Sequence, residues 1–183
     1  MKRFAALYCA LDATNSSLEK KDALKRYLAE VAPEDAAWTV ALLTGNRPKG
    51  LGATKVLRSL CLAKTGHSPW MLDACRESVG DLSETIALLL PPPNREITSS
   101  LTEVMKGRVL ALRGASEPQQ RAIIEDAWSV FDVNERLVYH KLIRGGFRVG
   151  VQKRTVTRAL SEACGLDFDL LAHRLTGRFN PTA

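Results

Sequence analysis

The chain has 183 residues, a formal net charge of +6 and an isoelectric point near 9.3. This length can bury a hydrophobic core without disulfides or metal ions, so a second full domain is not expected. The composition, 45% hydrophobic and 25% charged, excludes a chain that is disordered over most of its length, and no apolar segment reaches the length of a membrane span.

Apolar residues recur at helical spacing throughout the first half of the chain. Proline, glycine and small polar residues mark where these segments begin and end. We expect Trp38 and Trp70 to lie in the core, because tryptophan is more often buried than exposed as a ligand platform. The predicted helices centre on Phe4–Leu11, Leu18–Val31, Pro33–Leu43, Ala53–Thr65, Pro69–Val79 and Asp81–Leu90.

The second half continues the helical pattern. Asp132 followed by Glu135 has the spacing of a capping box and predicts a helix that ends at Gly145. Phe147–Val151 is the only stretch that alternates like a strand, and it is too short to form one alone. Further helices are predicted over Thr98–Leu112, from Ser116 through Phe131, in the segment before Gly165, and over Asp167–Leu175. The sequence therefore predicts an all-α fold of about ten or eleven helices.

Three consecutive prolines, Pro91–Pro93, must end the sixth predicted helix. They form either a stiff extended connector or a ligand for a proline-binding module, and the lack of a longer PxxP context favours the connector. We predict one all-helical domain over 1–183, with pseudo-symmetric half-repeats at 1–90 and 94–183 on the two sides of these prolines.

The residues most often found in metal and catalytic sites, cysteine and histidine, lie far apart in the sequence. The four cysteines lie far apart without a CxxC pair, and each of the three histidines stands alone, so we predict no metal site, no redox dithiol and no catalytic site. Lys20–Ala23 has the form Lys-x-Asp but ends in alanine where a nucleotidyl-transfer motif needs glycine, and we interpret it as the charged face of an amphipathic helix. Polar residues interrupt the amino-terminal apolar run, which argues against a signal peptide. We expect a cytoplasmic monomer, in the nucleoid if the source is bacterial, with no cofactor of its own.

The basic residues concentrate in two windows that contain no acid. Twelve of the 26 Lys and Arg residues lie between Asp35 and Asp73 or between Glu135 and Glu162. Each window is centred on a glycine turn, and Lys141–Arg158, with Gly145, Gly146 and Gly150, is typical of a loop that faces phosphates. The alternative is that these windows are merely solvated faces of helices.

The two windows also resemble each other. Gly50–Gly66 and Arg148–Gly165 each carry an apolar residue before a glycine, then a basic residue, then a helix in which Val56, Arg58, Leu60 and Ala63 match Val156, Arg158, Leu160 and Ala163. The match needs a one-residue offset between turn and helix. It favours an internal duplication.

The chain resembles the N-terminal DNA-binding domain of ATP-dependent DNA ligases, most specifically in GGFRVGVQKRTVTRAL, Gly145–Leu160. The resemblance implies an all-helical domain that grips the minor groove on both sides of a nick, independently of sequence. It implies that Gly150 with Arg148, Lys153 and Arg154 holds one side, and that Gly50, Leu51 and Gly52 with Lys49 and Lys55 hold the other. Together with neighbouring positions in the two windows, the predicted DNA-binding residues are Arg47, Lys49, Gly50, Gly52, Lys55, Arg58, Arg144, Gly146, Arg148, Gly150, Lys153, Arg154 and Arg158.

The departures from that family's pattern are equally informative. Ligases of this type carry their adenylated lysine in a Lys-x-Asp-Gly motif of a separate nucleotidyltransferase domain, usually followed by an OB-fold, and neither is present in this sequence. We therefore expect the chain to be a fragment or isolated domain, whose parent uses ATP and Mg²⁺ in its catalytic domain to seal nicked duplex DNA. The alternative is a helical scaffold that binds protein partners, with its basic turns serving only solubility.

Overall fold

The structure is a computed structural model, and it describes residues 1–177 and 181. Within these residues the fold is all-α, with eleven α-helices and no strand, as the sequence predicted. No helix in the described part of the chain is long and apolar enough to cross a membrane. The helices are α1 Lys2–Asp12, α2 Ser17–Glu30, α3 Pro33–Leu43, α4 Thr54–Thr65, α5 Pro69–Val79, α6 Leu82–Leu89, α7 Leu101–Val104, α8 Glu117–Val130, α9 Val133–Arg144, α10 Lys153–Cys164 and α11 Phe168–Arg174.

The helices form two compact units, each assembled from separate stretches of chain. The first unit contains α4, α5, α6, α8 and α9 and is built from Met1–Lys2, Pro48–Ser99 and Glu103–Gly146. The second unit contains α2, α3, α10 and α11 with nearly all of α1, and is built from Arg3–Arg47, Ser100–Thr102 and the described residues from Phe147 onward. The predicted halves at 1–90 and 94–183 are each one continuous stretch of chain, whereas each of these units combines several stretches. The internal duplication stays a prediction.

The structure contains the capping interaction that the sequence predicted at the start of α9. The Asp132 carboxylate accepts from the Glu135 N–H at 2.9 Å, and the Glu135 carboxylate accepts from the Asp132 N–H at 3.1 Å, which confirms the predicted capping box of α9. Such reciprocal bonds satisfy two backbone donors that a helix cannot satisfy internally. α8 begins with a second capping box, between Ser116 and Gln119.

The core of the second unit is aromatic. Phe147, which follows the two glycines after α9, stacks on Phe4 with ring centroids 5.7 Å apart and lies 5.1 Å from the ring of Tyr8. All three rings are buried. This packing anchors the start of the basic segment 147–153 in the second unit.

The core of the first unit gathers α6, α8 and α9 around a polar contact. His140 is completely buried, and its Nε2 accepts a hydrogen bond from Trp128 Nε1 at 2.7 Å while its Nδ1 lies 3.1 Å from the Ser83 carbonyl. The buried Arg136 side chain donates to the carbonyls of Pro91, at 2.6 Å, and Trp128. The proline connector is thus attached to the first unit through a hydrogen bond from α9.

Two details differ from the sequence predictions. Trp38 is buried as predicted, with 3% of its surface exposed, but Trp70 is 72% exposed, so its prediction as a core residue was wrong. Trp70 is the second residue of α5, and Leu72 is the only buried residue of that helix, so the core-facing side of α5 does not include it. The segment predicted as one helix over Thr98–Leu112 is α7 followed by a π-helical turn, Met105–Val109, and a 3₁₀ turn, Leu110–Leu112.

Candidate nucleic-acid interface

The basic segment of the second unit leads directly into α10. Gly145 ends α9 in the left-handed conformation, with φ of 75°, and Gly150 has φ of 59° two residues before the N-cap Gln152. Both values are accessible to glycine without strain. Gln152 makes no side-chain capping bond, and the first turn of α10 contains Lys153 and Arg154 but no acid.

The first unit repeats this arrangement at α4. Gly50 and Gly52 have φ of 71° and 65°, and α4 then begins after Ala53 with no side-chain cap and no acid in its first turn. Lys55 is exposed in that turn. Both α4 and α10 have 12 residues and end at a left-handed glycine, and the apolar residues before their glycine turns, Leu51 and Val149, are both buried.

The starts of α4 and α10 differ from those of most helices in this chain. A helix N-terminus presents unpaired N–H groups and a partial positive charge, which an acidic side chain in the first turn ordinarily offsets. Lysine in the first turn adds like charge instead, so these two helix starts favour an external anion. Among the described helices, seven carry such an acid: α2, α3, α6, α7, α8, α9 and α11. The first turns of α1, which begins with Lys2 and Arg3, and of α5 also lack an acid, but neither helix follows a pair of residues such as Leu51-Gly52 or Val149-Gly150.

The predicted residues of the second unit lie mostly at the surface. Arg148, Gly150, Arg154 and Arg158 are exposed. Lys153 is exposed too, and its ammonium donates to the Leu175 carbonyl. Arg154 and Arg158 line an open groove of about 450 Å³ together with Lys21 of α2. Arg47 and Arg148 line a smaller hollow of about 240 Å³ beside Gly150.

The predicted residues of the first unit divide into exposed and ion-paired groups. Lys49, Gly50, Gly52, Lys55 and Gly146 are exposed. By contrast, Arg58 donates two hydrogen bonds of 2.7 Å to the Asp73 carboxylate, and these bonds lower the pKa of that carboxyl.

Arg144 is held within the first unit in a similar way. It donates to Ser83 Oγ at 2.9 Å and lies 3.7 Å from the Asp81 carboxylate, which also pairs with Lys141 at 3.2 Å. The positive charges of Arg58 and Arg144 are thus offset by acids that lie outside the two acid-free windows. Their assignment to DNA binding stays a prediction.

Basic residues of α2 complete the surface around α10 and were missed from the sequence. Lys21 and Lys25 flank the Glu162 carboxylate of α10, with N–O distances of 2.9 Å and 3.5 Å. Lys20 is buried, and its ammonium donates to the carbonyls of Val149 and Gly150. The spacing in the sequence could have identified Lys20. It precedes the buried residues Leu24 and Tyr27 by four and seven positions, and therefore lies on the same face of α2.

Within the described residues, no group of three or more His, Cys, Asp or Glu side chains is placed to hold a metal ion. The four cysteines are free thiols. Burial raises the pKa of the Cys61 thiol to about 11, so this cysteine is a poor nucleophile at neutral pH.

The fold is all-α, and the starts of α4 and α10 are basic and have no side-chain cap. Such helix starts form a surface suited to binding polyanions. A protein-family model described as DNA ligase N terminus matches residues 1–161. The chain belongs to this family, the N-terminal domain of ATP-dependent DNA ligases, which confirms the resemblance seen in the sequence. A comparison with curated protein sequences found no match.

Proposed function

We propose that this chain binds nicked duplex DNA for an ATP-dependent DNA ligase, through the sugar-phosphate backbone and the minor groove and without sequence preference. Membership of the ligase family and the net charge of +6 support a DNA partner. Contacts to phosphates position a protein on a duplex but carry no sequence information, which accounts for the expected tolerance of sequence.

The observation that carries this proposal is the pair of helix starts at α4 and α10. Each combines a glycine turn, unpaired helix N–H groups and a basic first turn, and neither has a side-chain cap. A phosphate oxygen would satisfy these donors and offset the charge of Lys55 or of Lys153 and Arg154. Each unit supplies one such helix start, and we propose that the two contact the duplex on the two sides of the nick.

The chemistry of nick sealing is proposed to reside elsewhere in the parent ligase. ATP and Mg²⁺ would act in its nucleotidyltransferase domain, assisted by an OB-fold, and this chain would bind as a monomer in the cytoplasm. Incubation of the chain with radiolabelled ATP, followed by a denaturing gel, tests whether the adenylation step takes place outside this chain. We expect no labelled band, and a covalent AMP adduct would contradict the proposal.

Charge reversal at the start of α10 tests the binding proposal. We expect R148E/K153E to abolish most binding of a fluorescent nicked duplex, measured by anisotropy, because both side chains are exposed beside the proposed phosphate site. The helical circular dichroism should not change. K106E/R113E is the matched control, since it makes the same change in net charge at exposed positions outside the predicted site. Equal loss of affinity in both variants would show that only overall charge matters.

A helical scaffold for protein partners is the second candidate function. Trp70 and Met71 at the start of α5 favour it, because these two large apolar side chains are 72% and 39% exposed. Aromatic residues and methionine are enriched at protein interfaces. Capture of acidic protein partners by the wild-type chain, together with the absence of a gel shift on any DNA, would favour the scaffold over DNA binding.

A further inference from the structure

The ammonium group of Lys20 supports the glycine turn before α10 from inside the second unit. Only 6% of the Lys20 surface is exposed, and its Nζ donates to the Val149 carbonyl at 2.6 Å and to the Gly150 carbonyl at 3.3 Å. No carboxylate of the described residues forms an ion pair with it. A buried ammonium without a carboxylate is costly, and an apolar side chain would avoid that cost, so packing alone does not explain a lysine here.

These two hydrogen bonds determine the direction of the neighbouring N–H groups. The C=O and N–H of a planar trans peptide point in opposite directions, and no peptide bond in the described chain is cis. Because the carbonyls of Val149 and Gly150 face Lys20, the N–H groups of Gly150 and Val151, in the same two peptide units, face away from it. Neither N–H donates a hydrogen bond to any group of the described residues.

The turn depends on glycine for two separate reasons. Gly150 has φ of 59°, which a side chain rarely adopts, and a Cβ built on it would lie 3.1 Å from Lys20 Nζ. The lysine and the glycine therefore specify one turn conformation together. Arg148 is exposed, and it lines a small hollow together with Gly150 and Val151.

We infer that Lys20 is a positioning residue for DNA binding, which directs the N–H groups of Gly150 and Val151 toward a phosphate of the duplex backbone. The inference rests on the proposed function. Successive backbone N–H groups at a turn form anion-binding concavities, and a phosphate oxygen is the anion that duplex DNA offers. Lys20 itself is buried and does not contact the phosphate.

The variant K20M tests this role, with K106M as the control. Both remove one positive charge, but Lys106 is exposed and lies outside the predicted site. We expect K20M to weaken binding of a nicked duplex about 10- to 100-fold, the range for one lost hydrogen bond to a charged group. We expect K106M to change the affinity less.

The salt dependence separates positioning from direct contact. Backbone N–H groups carry no net charge and displace no counterion, so K20M should leave the slope of log K against log salt unchanged. Removal of a direct lysine contact lowers that slope by about 0.9. Wild-type affinity in K20M, or a slope reduced by that amount, would overturn the inference.

Amide chemical shifts provide a second test, and its first part needs only the wild-type chain. On saturation with nicked duplex, the Gly150 and Val151 amide protons should shift downfield more than those of Gly114 and Gly165, and in K20M these shifts should be lost. A wild-type complex in which the two amides do not move would overturn the inference and leave the proposed function intact. A wild-type chain that does not bind DNA would instead contradict the proposed function itself.

Discussion

His140 shows how a single buried residue links the stability of the first unit to pH. Burial lowers the pKa of its imidazole from 6.5 to about 4. The neutral ring accepts from Trp128 at Nε2, and its Nδ1 lies against the Ser83 carbonyl. Protonation at Nε2 would replace this acceptor with a second donor, so the folded protein requires the neutral form.

We predict that the free energy of unfolding decreases as the pH falls from about 6.5 to about 4. The pKa in the folded state lies below that of the unfolded chain, so within this window the unfolded state binds the proton more strongly and acid favours unfolding. The effect is about 1.4 kcal/mol per pH unit and roughly 3 kcal/mol over the window. Urea unfolding followed by circular dichroism at several pH values measures it.

The variant H140Q isolates this contribution, because a glutamine amide can accept one hydrogen bond and donate another without titrating. Its stability should depend less on pH than that of the wild type between pH 6.5 and 4. H173Q, which changes an exposed histidine, is the control and should behave as the wild type. Identical pH dependence in all three proteins would contradict the assignment to His140.

Among the helices, α10 exemplifies a conflict between stability and function. Its N-cap Gln152 makes no side-chain capping bond, although Ser, Thr, Asp and Asn at this position stabilise helices. The helix start is therefore less stable than it could be in the absence of an anion. Under the proposed function, a phosphate of the duplex takes the place of the missing cap.

We predict that Q152D stabilises the free protein and weakens DNA binding. The new carboxylate would accept from N–H groups of the first turn and stabilise the chain by about 0.5–2 kcal/mol. The same carboxylate would compete with and repel the phosphate. Thermal unfolding measures the first effect, and anisotropy titration with nicked duplex measures the second.

S68D is the matched control for this prediction, because Ser68 is the N-cap of α5 and also makes no side-chain capping bond. It introduces the same charge at a helix start outside the predicted site. We expect S68D to raise stability without a comparable loss of affinity. An equal loss of affinity in both variants would attribute the effect of Q152D to net charge alone.

Helix boundaries could be predicted from the sequence wherever a local interaction determines them. Asp132 and Glu135 are three residues apart, and their mutual capping needs no distant partner. The π-helical turn at Met105–Val109 has no such local signature and was missed. Trp70 was misplaced for a related reason, because the short buried face of α5 depends on what the helix packs against rather than on its own composition.

At the scale of the whole molecule, electrostatics should dominate DNA binding. We predict that the affinity for nicked duplex falls by about 10³ to 10⁵ between 50 and 200 mM salt if six to ten phosphates are contacted. Substitution of the base pairs around the nick should change the affinity little. Anisotropy titrations across a salt series with two unrelated duplex sequences measure both effects. Equal affinity at low and high salt would contradict the proposed mode of binding.

The basic windows predicted where positive charge accumulates along the chain, but not where it is neutralised. Asp73 and Asp81 lie outside the windows in sequence, and the fold brings them against Arg58 and Arg144. Lys20 shows the opposite case, because α2 is remote in sequence from Gly150 and contacts it only after folding. Contacts between segments that are distant in sequence depend on how the helices pack. The spacing of residues along a single sequence does not reveal that packing.

The discontinuous makeup of the second unit has a consequence for biosynthesis. Its α1, α2 and α3 are made first, but Phe147, which stacks on Phe4, and α10 are made only after the whole first unit. Until then the nascent chain exposes an apolar face that other hydrophobic surfaces can occupy. The first unit, by contrast, has all of its residues by Gly146. During translation, the helices that are made first therefore complete their packing last, because they belong to the second unit.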